Sequence, residues 1–344
     1  MMTDSEPVTT AGAIALANLE VRIDGHVSRA DGGRLTVGER AELVDLIALR
    51  GQVLGSIADL EQAAALADEL VDQVPSDARS FVARARMRGV FHRFALALTD
   101  LDTAAALGGD SDDLDAERAG LYQALGRYDE ALEIRLPAAN TSPDFSTLGA
   151  LALLHGERGE LDQAECRFTA ATRRYRGTSP FPLALLEFQR GKLWIENDDH
   201  RRARAWIGTA ARRLPEYLPA QGHLAELDAD RGETVAAIAR LRPLALSSDD
   251  PDYATQLARI LIDDGQTEEA RTWRDKAESR YDELLANHEA AFADHAAEFW
   301  LTIGGDSARA LTLARQNLSV RKTPRARALV RRSLGHLEGL GTTA

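Results

Sequence analysis

Two sets of residues in the chain have the types and spacing to do chemistry. In NHEAAFADHAAEF, His288 and His295 stand seven apart, with Glu298 three further on. On a helix such a set comes near to sharing one face, and two imidazoles with a carboxylate are donors for a divalent metal. A separation of seven also sets the imidazoles about two turns apart, so the competing reading has His295 hydrogen-bonded locally beside Phe292 and Phe299. The second set is a row of acids, Glu157, Glu196, Asp230 and Asp263, each two residues before a turn. A carboxylate in the last turn of a helix opposes the helix dipole, so local helix energetics do not explain the row. A cationic partner would explain it; so would a solvated surface on which Arg158, Arg231 and similar neighbours neutralise the charge. Nucleotide-binding, metalloprotease and serine-hydrolase motifs are absent from the sequence. Cys166, the only cysteine, rules out an intrachain disulfide framework or a Cys-rich zinc site, and is expected at the edge of the core as an inert thiol.

The elements that must carry these residues show themselves by repetition. HGERGELDQAECRF places Gly159 five residues before Ala164, and the same frame returns at Gly126 and Ala131, Gly232 and Ala237, Gly265 and Ala270, and Gly305 and Ala310. With Ala63, Ala97 and Ala203 the alanines form a ruler whose intervals are 34, 34, 33, 39, 34, 33 and 40. A period near 34 with small residues at fixed offsets marks stacked helical hairpins. In the unit from Phe145 to Tyr175, Leu148, Leu151, Ala152 and His155 form one helical stripe, and Leu161, Ala164, Phe168 and Ala171 form a second. Each unit is therefore a helix A, a tight turn and a helix B, with Ala152 and Ala164 allowing close approach and Gly159 supplying a left-handed turn. Pro180 and Pro182 predict a loop at the first long interval. The second has neither Pro nor Gly from Arg280 to Ile303 and predicts nearly continuous helix.

These residues resemble the tetratricopeptide repeat family. Leu148, Leu151, Ala152, His155, Gly159, Ala164, Phe168 and Ala171 fall on its pattern, as do Gly191, Trp194, Ala203, Ala210 and Pro215 in the next unit, and Gly51, Ala63, Leu70 and Pro75 in the first. The resemblance covers about residues 40–321. It implies an all-α, right-handed superhelical solenoid of eight antiparallel hairpins over 39–321, between an N-terminal extension with one weak helix (1–38, broken by DGG at 31–33) and a capping helix with a tail (322–344). Thr323 and Pro324 are suited to start that last helix. Where the family usually has Leu, the chain has Arg50, Arg84, Arg118 and Arg190. An Arg near a packed seam needs an acidic partner, such as Asp100 or Asp102 for Arg84, and the ladder is read as structural ion pairs, with ligand binding the alternative.

The family works through its concave groove, lined chiefly by helix A. Its best-known clamp for a peptide carboxylate is not supported, since the first pair of clamp positions reads Ala48 and Gln52. The groove positions of units four to seven instead add Glu226 and Asp252 to the acidic row, against Lys192 and Arg259. Composition agrees with a folded, soluble chain: 344 residues, 44% hydrophobic and 28% charged. A net charge of −13, from 41 basic and 54 acidic residues, argues against a track for nucleic acid. The N-terminus lacks a basic region before its apolar stretch, and no apolar run reaches membrane-spanning length. The expectation is a cytoplasmic, non-catalytic adaptor that binds another protein or peptide with a basic segment, without cofactor, nucleic acid or membrane. The alternative is a metal- or small-ligand-responsive accessory protein serving a separate enzyme.

Overall fold

The computed structural model describes residues 7–30, 33 and 35–341, and is helical throughout, with no strand among them. Asp31 and Gly32 of the DGG break and the tail at 342–344 lie outside the described residues. After α1 (Gly12–Ala30), the helices pair in chain order: α2 (Val37–Leu54) with α3 (Ile57–Gln73), α4 (Ala78–Val90) with α5 (Phe94–Ala106), and α6 (Ser111–Leu125) with α7 (Tyr128–Thr141). Next come α8 (Phe145–Glu157) with α9 (Leu161–Arg174), α10 (Phe181–Glu196) with α11 (His200–Arg213), and α12 (Leu218–Ala229) with α13 (Thr234–Ser247). Then α14 (Pro251–Asp263) packs on α15 (Thr267–Leu301), which packs in turn on α16 (Ser307–Val320), and α17 (Pro324–Gly341) follows. The long interval near Arg280 is taken up inside α15, where helix B of one hairpin runs into helix A of the next through a kink at His288 (φ −141°, ψ 43°).

The hairpins close on small residues. All eight ruler alanines lie in helix B and are at most 1% exposed, so a larger side chain there would push two backbones apart. The turn glycines Gly126, Gly159, Gly232, Gly265 and Gly305 have φ between +70° and +80°. The same register position is held by His92 (φ 53°) and Asp198 (φ 56°) in two of the three hairpins that lack the glycine, and the first hairpin turns at Gly55 (φ 58°) instead. The arginine ladder is paired throughout. Arg50 bonds Asp59 at 2.7 Å and Arg84 bonds Asp100 at 2.8 Å within their hairpins, whereas Arg118 reaches back to Asp102 at 2.7 Å and Arg190 to Glu165 at 2.9 Å on the preceding helix B. Cys166 is exposed on α9, not at the core edge: the α9 stripe that packs is Ala164, Phe168 and Ala171, and position 166 falls off it.

Successive hairpins turn far enough for the superhelix to meet itself. The α2–α3 turn touches the α13–α14 loop, where the Asp249 carboxylate accepts the backbone N–H groups of Ile57 (2.7 Å) and Ala58 (2.9 Å). The α4–α5 turn touches the kink of α15: His92 Nδ1 lies 2.9 Å from the Ala290 carbonyl, His288 stacks on Phe91 at 4.2 Å and its Nε2 lies 3.0 Å from Glu61. The α6–α7 turn touches the segment before α17, where Lys322 N–H donates to the Leu125 carbonyl at 3.0 Å. The chain ahead of α1 joins the same ring, with Thr10 N–H donating to Thr178 O at 2.8 Å. At the Asp249, His92 and Lys322 contacts the backbone-bonded partners lie 191 to 198 residues apart, about six hairpins per superhelical turn.

Candidate functional site: the lumen of the superhelix

Closure gives the concave face an enclosed character. The inner faces of α10, α12, α14 and the second half of α15, with the start of α17, surround a cavity of about 560 Å³. A smaller one of about 170 Å³, bounded by Tyr128, Glu157, Phe168 and Glu196, adjoins it, and both are lined by Lys192, Arg321 and Arg325.

Charge in the lumen is mostly paired. Asp250 caps α14 by accepting the Asp252 N–H at 2.9 Å, which fixes Asp252 at the first turn with its side chain inward. Asp252 then lies 2.7 Å from His295 Nδ1 and accepts the Tyr281 hydroxyl. Burial works against ionising Asp252, but His295 and Tyr281 outweigh it and hold the carboxyl well below the usual range. The same Asp252 charge, with Asp294 behind it, outweighs burial at His295 and pushes the imidazole up to about 10. Burial, then the Asp252 charge, raises Asp250 to about 7. Glu226 bonds Arg259 (2.9 Å) and lies 3.1 Å from His223 Nδ1; these two offset its burial and lower its pKa. Asp294 holds Arg321 at 3.4 Å, and Glu298 holds Arg332. In the smaller cavity Glu157 accepts from Gln123 at 2.8 Å, and burial raises its pKa. Burial, then the nearby Arg325 charge, lowers that of Lys192.

The residues singled out from the sequence divide between several places. Lys192, Glu226, Asp252 and Arg259 line the larger cavity, and Glu157 and Glu196 share the smaller one with Lys192. Asp230 lies in a separate depression, 3.7 Å from His200, while Asp263 is exposed at the end of α14 and lines neither cavity. Register placed the four acids at equivalent points, but superhelical turning aims them differently. His288 is taken up by the seam, whereas His295 and Glu298 face the lumen, each with a partner of its own. No group of three or more His, Cys, Asp or Glu among the described residues is arranged to hold a metal. The sequence reading missed Arg321, Arg325, Tyr281 and Asp294. Arg321 and Arg325 flank the Thr323–Pro324 helix start, which gave no sign that closure would swing it over the groove.

No family model matches the sequence, and no curated protein matches it. Solved structures do. A chain of the APC/C hetero-tetramer Cut9–Hcn1 is similar over 87% of this chain at 13% identity and a TM-score of 0.50, and this chain spans 55% of that one. The human IFIT1 dimer with PPP-AAAA is similar over 90% of this chain and 74% of its own, at 16% identity and a TM-score of 0.56. The same dimer with m7Gppp-AAAA gives 88%, 72%, 16% and 0.56. These neighbours are tetratricopeptide-repeat proteins. The chain has the tetratricopeptide-repeat fold. At such identities the likeness carries the fold of this tetratricopeptide solenoid and nothing of its use.

Proposed function

We propose that this solenoid is a non-catalytic scaffold, working in the cytoplasm, that holds a segment of another protein or peptide along its concave face. The observation that carries the reading is the convergence of four successive inward helices on one cavity of about 560 Å³, with polar groups at fixed positions. Gln256 Oε1 is buried there without a hydrogen-bond partner, an acceptor suited to a donor from a bound chain. Glu196 in the smaller cavity and Asp263 outside it have no ion-pair partner among the described residues, which favours a segment carrying cationic side chains. Among the neighbours, Cut9–Hcn1 is a protein assembly and IFIT1 is solved with PPP-AAAA. Alternating charge in this lumen suits a polypeptide better than a phosphate track, which needs a run of cations.

The test is site-specific photocrosslinking in the native cell, with the reactive residue at Thr255 in the lumen or at Thr99, exposed on α5. A protein partner should crosslink at 255 and not at 99; equal capture at both, or at neither, sinks the reading. Changing Glu157, Glu196, Asp230 and Asp263 to their amides should then flatten the salt dependence of that partner's affinity. An unchanged salt slope removes the basic-segment part.

A further inference from the structure

We infer that Lys192, Arg321 and Arg325 form a binding site for a small oxyanion of the phosphate type where the two cavities meet. Ion pairing in the lumen leaves cations over. In the larger cavity Glu226, Asp252, Asp294 and Glu298 each have a basic partner. Lys192 and Arg325 have none: among the described residues neither makes a hydrogen bond or ion pair, and the nearest recorded contact of the Lys192 ammonium is the Phe188 ring, 5.8 Å away. Lys192 is half-buried, and Arg325 is exposed while lining both cavities; two cations that face one space and repel each other are normally paired with acids.

The surroundings add to the positive field. Arg325 is the second residue of the 18-residue α17, so the positive end of that helix lies at the same point, and Thr323 and Pro324 line the smaller cavity beside it. Of the carboxylates that stand near, Asp294 is paired with Arg321 and Asp252 with His295, and Glu157 is held by Gln123 and shifted by burial toward its neutral form, so Glu196 alone has no partner of its own. Three cationic side chains offer more N–H donors than the two oxygens of a carboxylate can accept, whereas a phosphate presents three or four oxygens. The adjoining space of about 170 Å³ suits a phosphate group with a small substituent and not a long polyanion.

This site does not rest on the scaffold reading, because its probe is a small anion and no polypeptide takes part. Isothermal titration at fixed ionic strength would compare inorganic phosphate, glycerol 2-phosphate and acetate. Wild type should bind phosphate saturably. Lys192→Gln with Arg325→Gln should weaken it by at least about tenfold. Arg331→Gln, which removes an exposed charge from the same helix outside both cavities, should bind as wild type does. Tighter binding of glycerol 2-phosphate would identify a phosphorylated small molecule as the ligand; tighter binding of inorganic phosphate would identify the free ion. If the double variant fails to fold, Lys192→Gln alone serves, since removing an unpaired enclosed cation should not lower the melting temperature. Absence of saturable binding by either phosphate, equal binding in wild type and variant, or acetate binding as tightly as phosphate overturns the inference.

Discussion

His295 shows how far one side chain can depart from its ordinary chemistry. The imidazole is 42% exposed, yet it faces the lumen with Asp252 at 2.7 Å, Asp294 at 3.9 Å and Arg325 nearby. With its pKa raised to about 10, it stays charged in the folded chain at pH values where the unfolded chain has lost the proton. Its stabilisation is therefore fully present below about pH 6.5 and declines as pH rises toward 10. Asp250, raised to about 7, completes its own ionisation near the bottom of that window and leaves the rest to His295. NMR should find the His295 ring still protonated at pH 8, and titrating nearer its ordinary value in Asp252→Asn. Stability should fall more steeply between pH 7 and 10 in wild type than in that variant. A wild-type ring that titrates near 6.5 would refute the coupling.

Among the helical hairpins, the turns carry the most local information and some of the strain. Asp198 occupies a left-handed position held by glycine in five other hairpins, and its side chain is exposed with no recorded tertiary partner. Asp198→Gly should gain roughly 0.5–1 kcal/mol after the greater freedom of glycine in the unfolded chain is set against the relief of strain. His92→Gly relieves the same strain but loses the contact to Ala290 and a ring stacked near Phe94, so it should destabilise. Urea midpoints of opposite sign for the two variants would separate turn strain from seam contact; the same sign would refute the distinction. The alanine ruler and the glycine frame were legible in the sequence because a tight helix seam admits only small side chains and a left-handed turn favours glycine. Lys192, Glu226, Asp252 and Arg259 were legible as groove positions for the same reason, since register along one hairpin fixes which face a residue takes. Closure was not legible. It sums small rotations from about six hairpins, and none of them is written in a single motif. Arg321 and Arg325 therefore read as parts of an end cap, although the seam at Lys322 carries them into the lumen.

At the scale of the whole molecule, Asp249 is the clearest link between the two ends of the superhelical turn. It accepts two N–H groups at the start of α3 and bonds Arg280 at 3.2 Å. Asp249→Ala should cost about 1–2 kcal/mol, in the range of a lost helix cap. Hydrogen exchange at the Ile57 and Ala58 amides should accelerate, although the substitution lies some 192 residues away. Unchanged exchange there would mean that the seam contributes no protection. An open stack of repeats contacts only its nearest neighbours, and so it can fray from either end, one unit at a time. Here the first three hairpins are stapled to the last third of the chain, so a hairpin that melts near the start also strips contacts from the α13–α14 loop, α15 and the segment before α17. Denaturation should accordingly run as one cooperative transition, and refolding should wait on the slow encounter of segments nearly two hundred residues apart.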